Sequence, residues 1–391
     1  MKGEIPARDT LMGWSGWRRS RHDFTPAPRM TLPRWRALSQ AERAAYDLSR
    51  AAAHANLPLL GTPMSRAVDR LLSARIRQNA FKARPATRAG VMVSGGGYQG
   101  KTETVCEIAA AFEDGWRELH RTNPETVPGT RDVWAPVAYI QTPVTAKPKS
   151  TCKAILDFYG APTNQRMDLP ELVRQVAASL TDHGTKVLIL DDITRLRMHR
   201  ADDQDTLDLI RAFMSMHVTL VLVGVDIPSS GLMDEGRPTA RLANERRHPV
   251  NGWEPTQTER RFDLVELDRF RYDTPEQITA WTSHLAGVEE HLRLLKAGPG
   301  MLTSGTMPEY LYARTSGVVG LLERLIEDGC TEAITNGTER LSEALLDSLP
   351  LTLTPAADRD AGAGEIPTVP SRPRKRRNGA FDDRGHTPAT A

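Results

Sequence analysis

The residues best suited to chemistry in this 391-residue chain form one run, Gly95-Gly96-Gly97-Tyr98-Gln99-Gly100-Lys101-Thr102. It fits G-x-x-x-x-G-K-[ST], the spacing of a loop that wraps a phosphate chain. Such a loop turns its backbone N–H groups inward around the β-phosphate, and glycines let it curl without crowding the anion. A helix opening at Lys101 adds partial positive charge at its N-terminus. Lys101 is expected to bridge the β- and γ-phosphates, and Thr102 to ligate Mg2+ through its hydroxyl. ATP and Mg2+ are therefore the ligands expected here. A glycine-rich turn that binds nothing is the plainer alternative, but an apolar strand precedes this run and a helix follows it.

A phosphate loop needs an acidic partner at the end of a neighbouring strand, and Lys186-Val187-Leu188-Ile189-Leu190-Asp191-Asp192 supplies one. The strand delivers Asp191 beside the phosphates, where it holds Mg2+ through water. Asp192 is placed to orient or deprotonate the attacking water. An aspartate pair capping the next turn is the other reading. Many phosphate-loop ATPases carry Glu at the second position. Asp is one methylene shorter, so slow or partner-dependent hydrolysis is expected.

These groups need a scaffold, and the pattern alternates strand and helix. Strands are expected at Val91–Ser94, Val137–Gln141, Val187–Leu190, Leu220–Val223 and Phe262–Leu267. Helices are expected at about 39–56, 64–79, 101–119, 151–158, 169–182 and 205–216. Ser39 and Glu42 form a capping box at the start of the first. Short apolar strands bounded by helices imply an α/β fold, a parallel five-stranded sheet sandwiched by helices. Beyond Leu267 only helices are read, at 275–285, 288–296, 307–315, 318–336 and 338–346, a small all-helical lid. The expected organisation is a partly disordered N-terminal arm and helix (1–59), a nucleotide-binding domain (60–267), the lid (268–350) and a disordered basic tail (351–391).

Residues 1 to about 38 show no clear period and interleave Arg18, Arg19, Arg21, Arg29, Arg34 and Arg36 with Trp14, Trp17 and Trp35. Either the tryptophans dock on the body or a partner protein, or arginines meet phosphates while tryptophans stack on bases. The tail carries Arg372-Pro373-Arg374-Lys375-Arg376-Arg377. A net charge of only +2 means no global field demands a nucleic-acid partner. Cys106, Cys152 and Cys330 lie far apart and form no zinc-like or redox spacing, so they read as ordinary buried thiols. No apolar run approaches the roughly 18–20 residues of a membrane helix. A cytoplasmic protein with no membrane role is expected.

Together the phosphate loop, the Leu188–Asp192 strand, the Thr219–Asp226 strand ending in Gly224, and the box Glu259-Arg260-Arg261-Phe262 resemble an AAA+ ATPase. Within that class the chain most resembles the TniB-type transposition regulators, relatives of the Tn7 ATP-binding target-selection protein. Three segments carry this likeness: Val221-Leu222-Val223-Gly224, the run from the arginine box into Phe262-Asp263-Leu264-Val265-Glu266-Leu267, and Thr315-Ser316-Gly317-Val318-Val319-Gly320-Leu321-Leu322. The resemblance covers about residues 60–347. It implies that Arg261 is the arginine finger entering a neighbouring subunit's site, with Arg260 the adjacent alternative. It implies a homo-oligomer that assembles with ATP on double-stranded DNA and recruits a transposase. Lys147, Lys149, Arg195, Arg197 and Arg200 lie on loops that could face such DNA. Two departures stand out. Asp226 matches the usual polar sensor position poorly. Gly317 and Gly320 bracket Val318 and Val319, where many relatives offer a lid arginine, leaving Arg314 or Arg324 as substitutes. Other readings are a different AAA+ switch, either a replication-initiator-like loader or a signalling NTPase, and an ATP-bound scaffold with little hydrolysis.

Overall fold

The structure, a computed structural model, describes residues 7–122, 134–144, 147–195, 203–230 and 259–349. Five strands, β1 (Gly90–Ser94), β2 (Val137–Gln141), β3 (Val187–Asp191), β4 (Thr219–Gly224) and β5 (Phe262–Glu266), form one sheet. All pairings are parallel, in the order β2-β3-β4-β1-β5. The first four strands are buried almost throughout because helices cover them. They therefore read as apolar runs rather than as alternating patterns. Edge strand β5 alternates buried and accessible residues instead.

Two helical groups enclose the sheet. One contains α4 (Pro63–Ala80) and α5 (Lys101–Thr122), which pack on each other and on the strands; the other contains α6 (Pro148–Phe158), α7 (Leu169–Asp182) and α8 (Asp203–Met214). Val68, Leu72 and Ile76 recur on one face of α4 and are fully buried against the sheet. This is a parallel α/β sandwich, and the Gly95–Thr102 loop and the two aspartates sit at the carboxyl ends of their strands.

A second core follows, built by α9 (Pro275–His291), α10 (Met307–Thr315), α11 (Val319–Thr335) and α12 (Glu343–Asp347) around Trp281, Leu285, Leu311, Leu322 and Ile326. Three expected helices differ. The segment 275–285 and the start of 288–296 run as one helix, α9, because Gly287 alone does not end it. A mid-helix glycine weakens a helix by only about 1 kcal/mol relative to alanine. The chain leaves the helix at Leu292, which is extended. Residues 338–341 are not helical: Glu339 has φ +58° and its carboxylate receives Arg50, so the helix starts only after Ser342.

Three helices lie upstream: α1 (Leu11–Ser20), α2 (Leu32–Arg36) and α3 (Gln40–His54). The capping box expected at Ser39 and Glu42 is present on α3. The first two were not visible as a period, because partners distant in sequence hold α1. Trp14 is buried, its Nε1–H donates to Glu113 Oε2 at 2.8 Å, and its ring stacks on Tyr139. Arg18 pairs with Glu113 and Asp114, and Arg21 with Glu107 and Asp114. The Trp14 ring is therefore closed to base stacking. Trp35 donates to Asp47 at 3.0 Å. The tail and its basic run lie outside the described residues, as do Arg197 and Arg200.

Candidate functional site

The phosphate loop leaves β1 at Gly95 and enters α5 at Lys101. Gly95 runs so close to the Leu267 carbonyl that a Cβ would collide with it. Tyr98 and Gly100 take left-handed φ values of 56° and 77°. They bend the backbone through a tight arc, with Gly96, Gly97 and Gln99 between and beside them. The Lys101 ammonium folds back onto the Gly96 carbonyl at 2.5 Å, at the mouth of the loop. The N-terminus of the 22-residue helix α5 begins at this point, so the positive end of its dipole faces the loop.

Across β4, the end of β3 presents the two aspartates. Thr102 donates its hydroxyl to Asp191 Oδ2 at 2.7 Å, and the Tyr139 hydroxyl donates to the same oxygen at 2.8 Å. Burial, then the neighbouring Asp191 charge, raises the Tyr139 pKa, so this hydroxyl remains a donor. The other Asp191 oxygen accepts the Asp192 N–H at 2.8 Å. Asp192 turns outward at φ +53°; its carboxylate pairs with Arg195 at 2.9 Å and accepts from Gln141 Nε2 at 3.4 Å. β4 ends in Gly224, which offers no side chain to the site, and the Asp226 carboxylate accepts instead from the Ser229 hydroxyl.

These residues suit Mg2+ with nucleotide. A hydroxyl and a carboxylate 2.7 Å apart match a cation that takes its other ligands from phosphate and water. Among the described residues no cluster of three or more His, Cys, Asp or Glu is placed to hold a metal, and a phosphate-shared Mg2+ needs none.

Arg260 and Arg261 lie in the turn Glu259–Arg261 that opens β5. Phe262 is level with Gly90, the first residue of β1, so the pair sits at the far end of the sheet from the phosphate loop. Five strand residues separate the two, roughly 15 Å. Both arginines are exposed, and neither lies beside its own chain's loop.

The lid meets the loop by a contact the sequence did not announce. The Gly320 N–H, in the first turn of α11, donates to the Tyr98 carbonyl at 2.8 Å, and a Cβ on Gly320 would press into that oxygen. One orphan donor of the helix start is thus satisfied by the phosphate loop itself. The two candidate lid arginines point elsewhere: Arg314 to Asp347 and Tyr310, Arg324 to Asp328. The cysteines are buried and unpaired, and burial pushes the Cys152 thiol up to about 12. Lys147 opens α6 and is exposed, as is Lys149 on its first turn. No described helix is long and apolar enough to cross a membrane.

Residues 66–250 match the family of bacterial TniB proteins. The matched segment holds the phosphate loop and both aspartates; it stops short of Arg260, Arg261 and the lid. Among solved structures, the ORC1 protein of Aeropyrum pernix in complex with DNA is 12% identical, with a TM-score of 0.54 over 76% of this chain and 68% of that one. The ORC2 protein of the same organism, solved in ADPNP–ADP complexes, is 15% identical with a TM-score of 0.46, covering 85% and 70%. The CDC6P structure from Pyrobaculum aerophilum is 16% identical with a TM-score of 0.42, covering 75% and 72%. No curated protein matches the chain. The ORC1 likeness, at this identity, speaks for the fold that surrounds the TniB segment.

Proposed function

We propose that this chain is an ATP-binding and ATP-hydrolysing AAA+ regulator that assembles on double-stranded DNA and recruits a transposase to target sites. The observation that carries the ATP half is the convergence of Lys101, Thr102 and Asp191 at one end of the sheet, inside the TniB-matching segment. In this reading Gly95 to Gly100 wrap the β-phosphate, Lys101 bridges β and γ, and Thr102 with Asp191 holds Mg2+. When bound, Mg2+ neutralises charge on the phosphate oxygens. Asp191 also keeps Tyr139 and Thr102 in place, and Asp192 orients the attacking water.

Arg261 acts in trans. Its place at the opposite end of the sheet from its own loop suits a guanidinium that completes a neighbour's site and offsets transition-state charge. Arg261→Ala should leave nucleotide affinity unchanged while lowering the ATPase rate of the assembled protein by at least about 100-fold. An unchanged steady-state rate in the assembled fraction would assign the finger elsewhere, with Arg260 next in line.

The DNA half draws on the family match. Duplex binding should need ATP, and its affinity should fall linearly with log salt, with a slope near −0.9 per phosphate contact. Fluorescence anisotropy with a random duplex at several salt concentrations measures this. No binding at low salt with ATP present would remove DNA from the proposal.

A second reading has its own observation. Asp192 is engaged by Arg195 and Gln141, and the candidate lid arginines Arg314 and Arg324 pair with Asp347 and Asp328. An ATP-bound scaffold that hydrolyses little and acts by presenting a surface fits those two features.

A further inference from the structure

The N-terminal arm brings a cation into the nucleotide site. A cleft of about 440 Å³ opens at the carboxyl end of β3, lined by Arg8 together with Thr102, Tyr139, Gln141, Asp191 and Asp192. Arg8 is the cation among the described residues that line it, although it lies 94 positions before Thr102. Its guanidinium grips Glu103, the residue after Thr102, with Nη1 to Oε2 at 3.0 Å and Nη2 to Oε1 at 2.6 Å. It lies over the Trp17 ring at 5.0 Å and the Tyr139 ring at 5.6 Å. Burial opposes the charge most, but the Glu103 bond and the attraction of neighbouring groups together offset it and raise the Arg8 pKa, so the group stays cationic.

We propose that Arg8 is this chain's own cation for the γ-phosphate, supplied in cis by the arm while the candidate lid arginines Arg314 and Arg324 pair elsewhere. The proposal rests on the ATP-binding reading above. Three features support it. A guanidinium has five N–H donors and Glu103 engages two, so donors remain for a phosphate oxygen while the ion pair holds. The arm is fixed independently of Arg8, through Trp14 on Glu113 and through Arg18 and Arg21 on the acidic face of α5, so the side chain is positioned before nucleotide arrives. Asp191, Asp192 and Asp9 also line this cleft, so a polyphosphate entering it meets carboxylates, and a fixed guanidinium opposes that repulsion. Thr102, Asp191 and Asp192 mark the γ-phosphate side, so Arg8 should distinguish ATP from ADP.

Equilibrium titration of the full chain with fluorescent ATP and ADP analogues, with Mg2+, tests this. Arg8→Ala should weaken the ATP analogue by about tenfold or more and the ADP analogue less than about twofold. Arg8→Lys, keeping charge without the fork, should recover most of the loss. Hydrogen exchange should show residues 7–20 gaining protection with ATP analogue and Mg2+ in the wild type but not in Arg8→Ala. Equal losses for both nucleotides would make Arg8 a structural strut, and no loss for either would remove it from the site; each overturns the proposal. A wild type that binds neither analogue would overturn the ATP-binding reading itself.

Discussion

Glu339→Ala is expected to destabilise the protein by about 3 kcal/mol, the penalty for breaking a buried pair, with Arg50 keeping its Nε bond to Asp47 at 2.9 Å. Arg50 on α3 is 1% exposed and Glu339 6%. They meet through two parallel bonds, Nη1 to Oε2 at 2.6 Å and Nη2 to Oε1 at 2.8 Å. Glu339 Oε2 also accepts the Leu295 N–H at 3.1 Å, so alanine leaves a buried backbone donor unpaired as well. Alanine keeps a Cβ at φ +58°, so the backbone strain is the same in both proteins and the loss reports the side chain. The pair fastens α3 to the lid, assisted by the His54 ring, which accepts the Arg293 N–H at 2.8 Å. Urea titration at neutral pH reads the change. The apolar double variant Arg50→Met with Glu339→Leu should recover much of the loss, because the bridge's net worth is smaller than the penalty for breaking it. A single-variant loss below about 1 kcal/mol would mean water reaches the pair.

The arm therefore does two jobs. Its first helix grips the sheet domain through Trp14, Arg18 and Arg21, and its third grips the lid through Arg50. The lid in turn touches the phosphate loop at Gly320. A change at the loop has two physical routes to the lid, one through Tyr98 and one through the arm.

The sheet was legible because buried parallel strands such as Val91–Ser94 and Val187–Leu190 are short apolar runs with no competing period. Helices α7 and α10 were equally clear, each starting beside a proline in its first turn. What escaped the sequence was held by distant partners. Helix α1 is Arg-rich and weakly periodic, and its partners Glu107, Glu113 and Asp114 lie some ninety positions on. Tyr139 sits mid-strand and reads as core, although its hydroxyl fixes Asp191. Arg8 belongs to no motif; the anchoring of α1 through Trp14, Arg18 and Arg21 and its own pair with Glu103 carry it to the cleft. The candidate loop was readable because the spacing for phosphate wrapping, a backbone task, is local. The parts of the site assembled across the fold were not.

In the proposed reading Lys101 should carry the largest functional effect. Its ammonium rests on the Gly96 carbonyl at 2.5 Å, where a bound β–γ bridge would draw it outward without moving the backbone. Two charge-assisted bonds to phosphate oxygens contribute about 3 kcal/mol or more, roughly a 100-fold change in affinity. Lys101→Ala leaves the loop's glycines and the Thr102–Asp191 bond untouched, so the fold should persist and the variant should unfold at the wild-type urea concentration. The most direct test is calorimetric titration of wild type and Lys101→Ala with ATP and Mg2+. The account predicts binding by the wild type and a loss of at least about 100-fold in the variant. Equal affinity in a folded variant would contradict it.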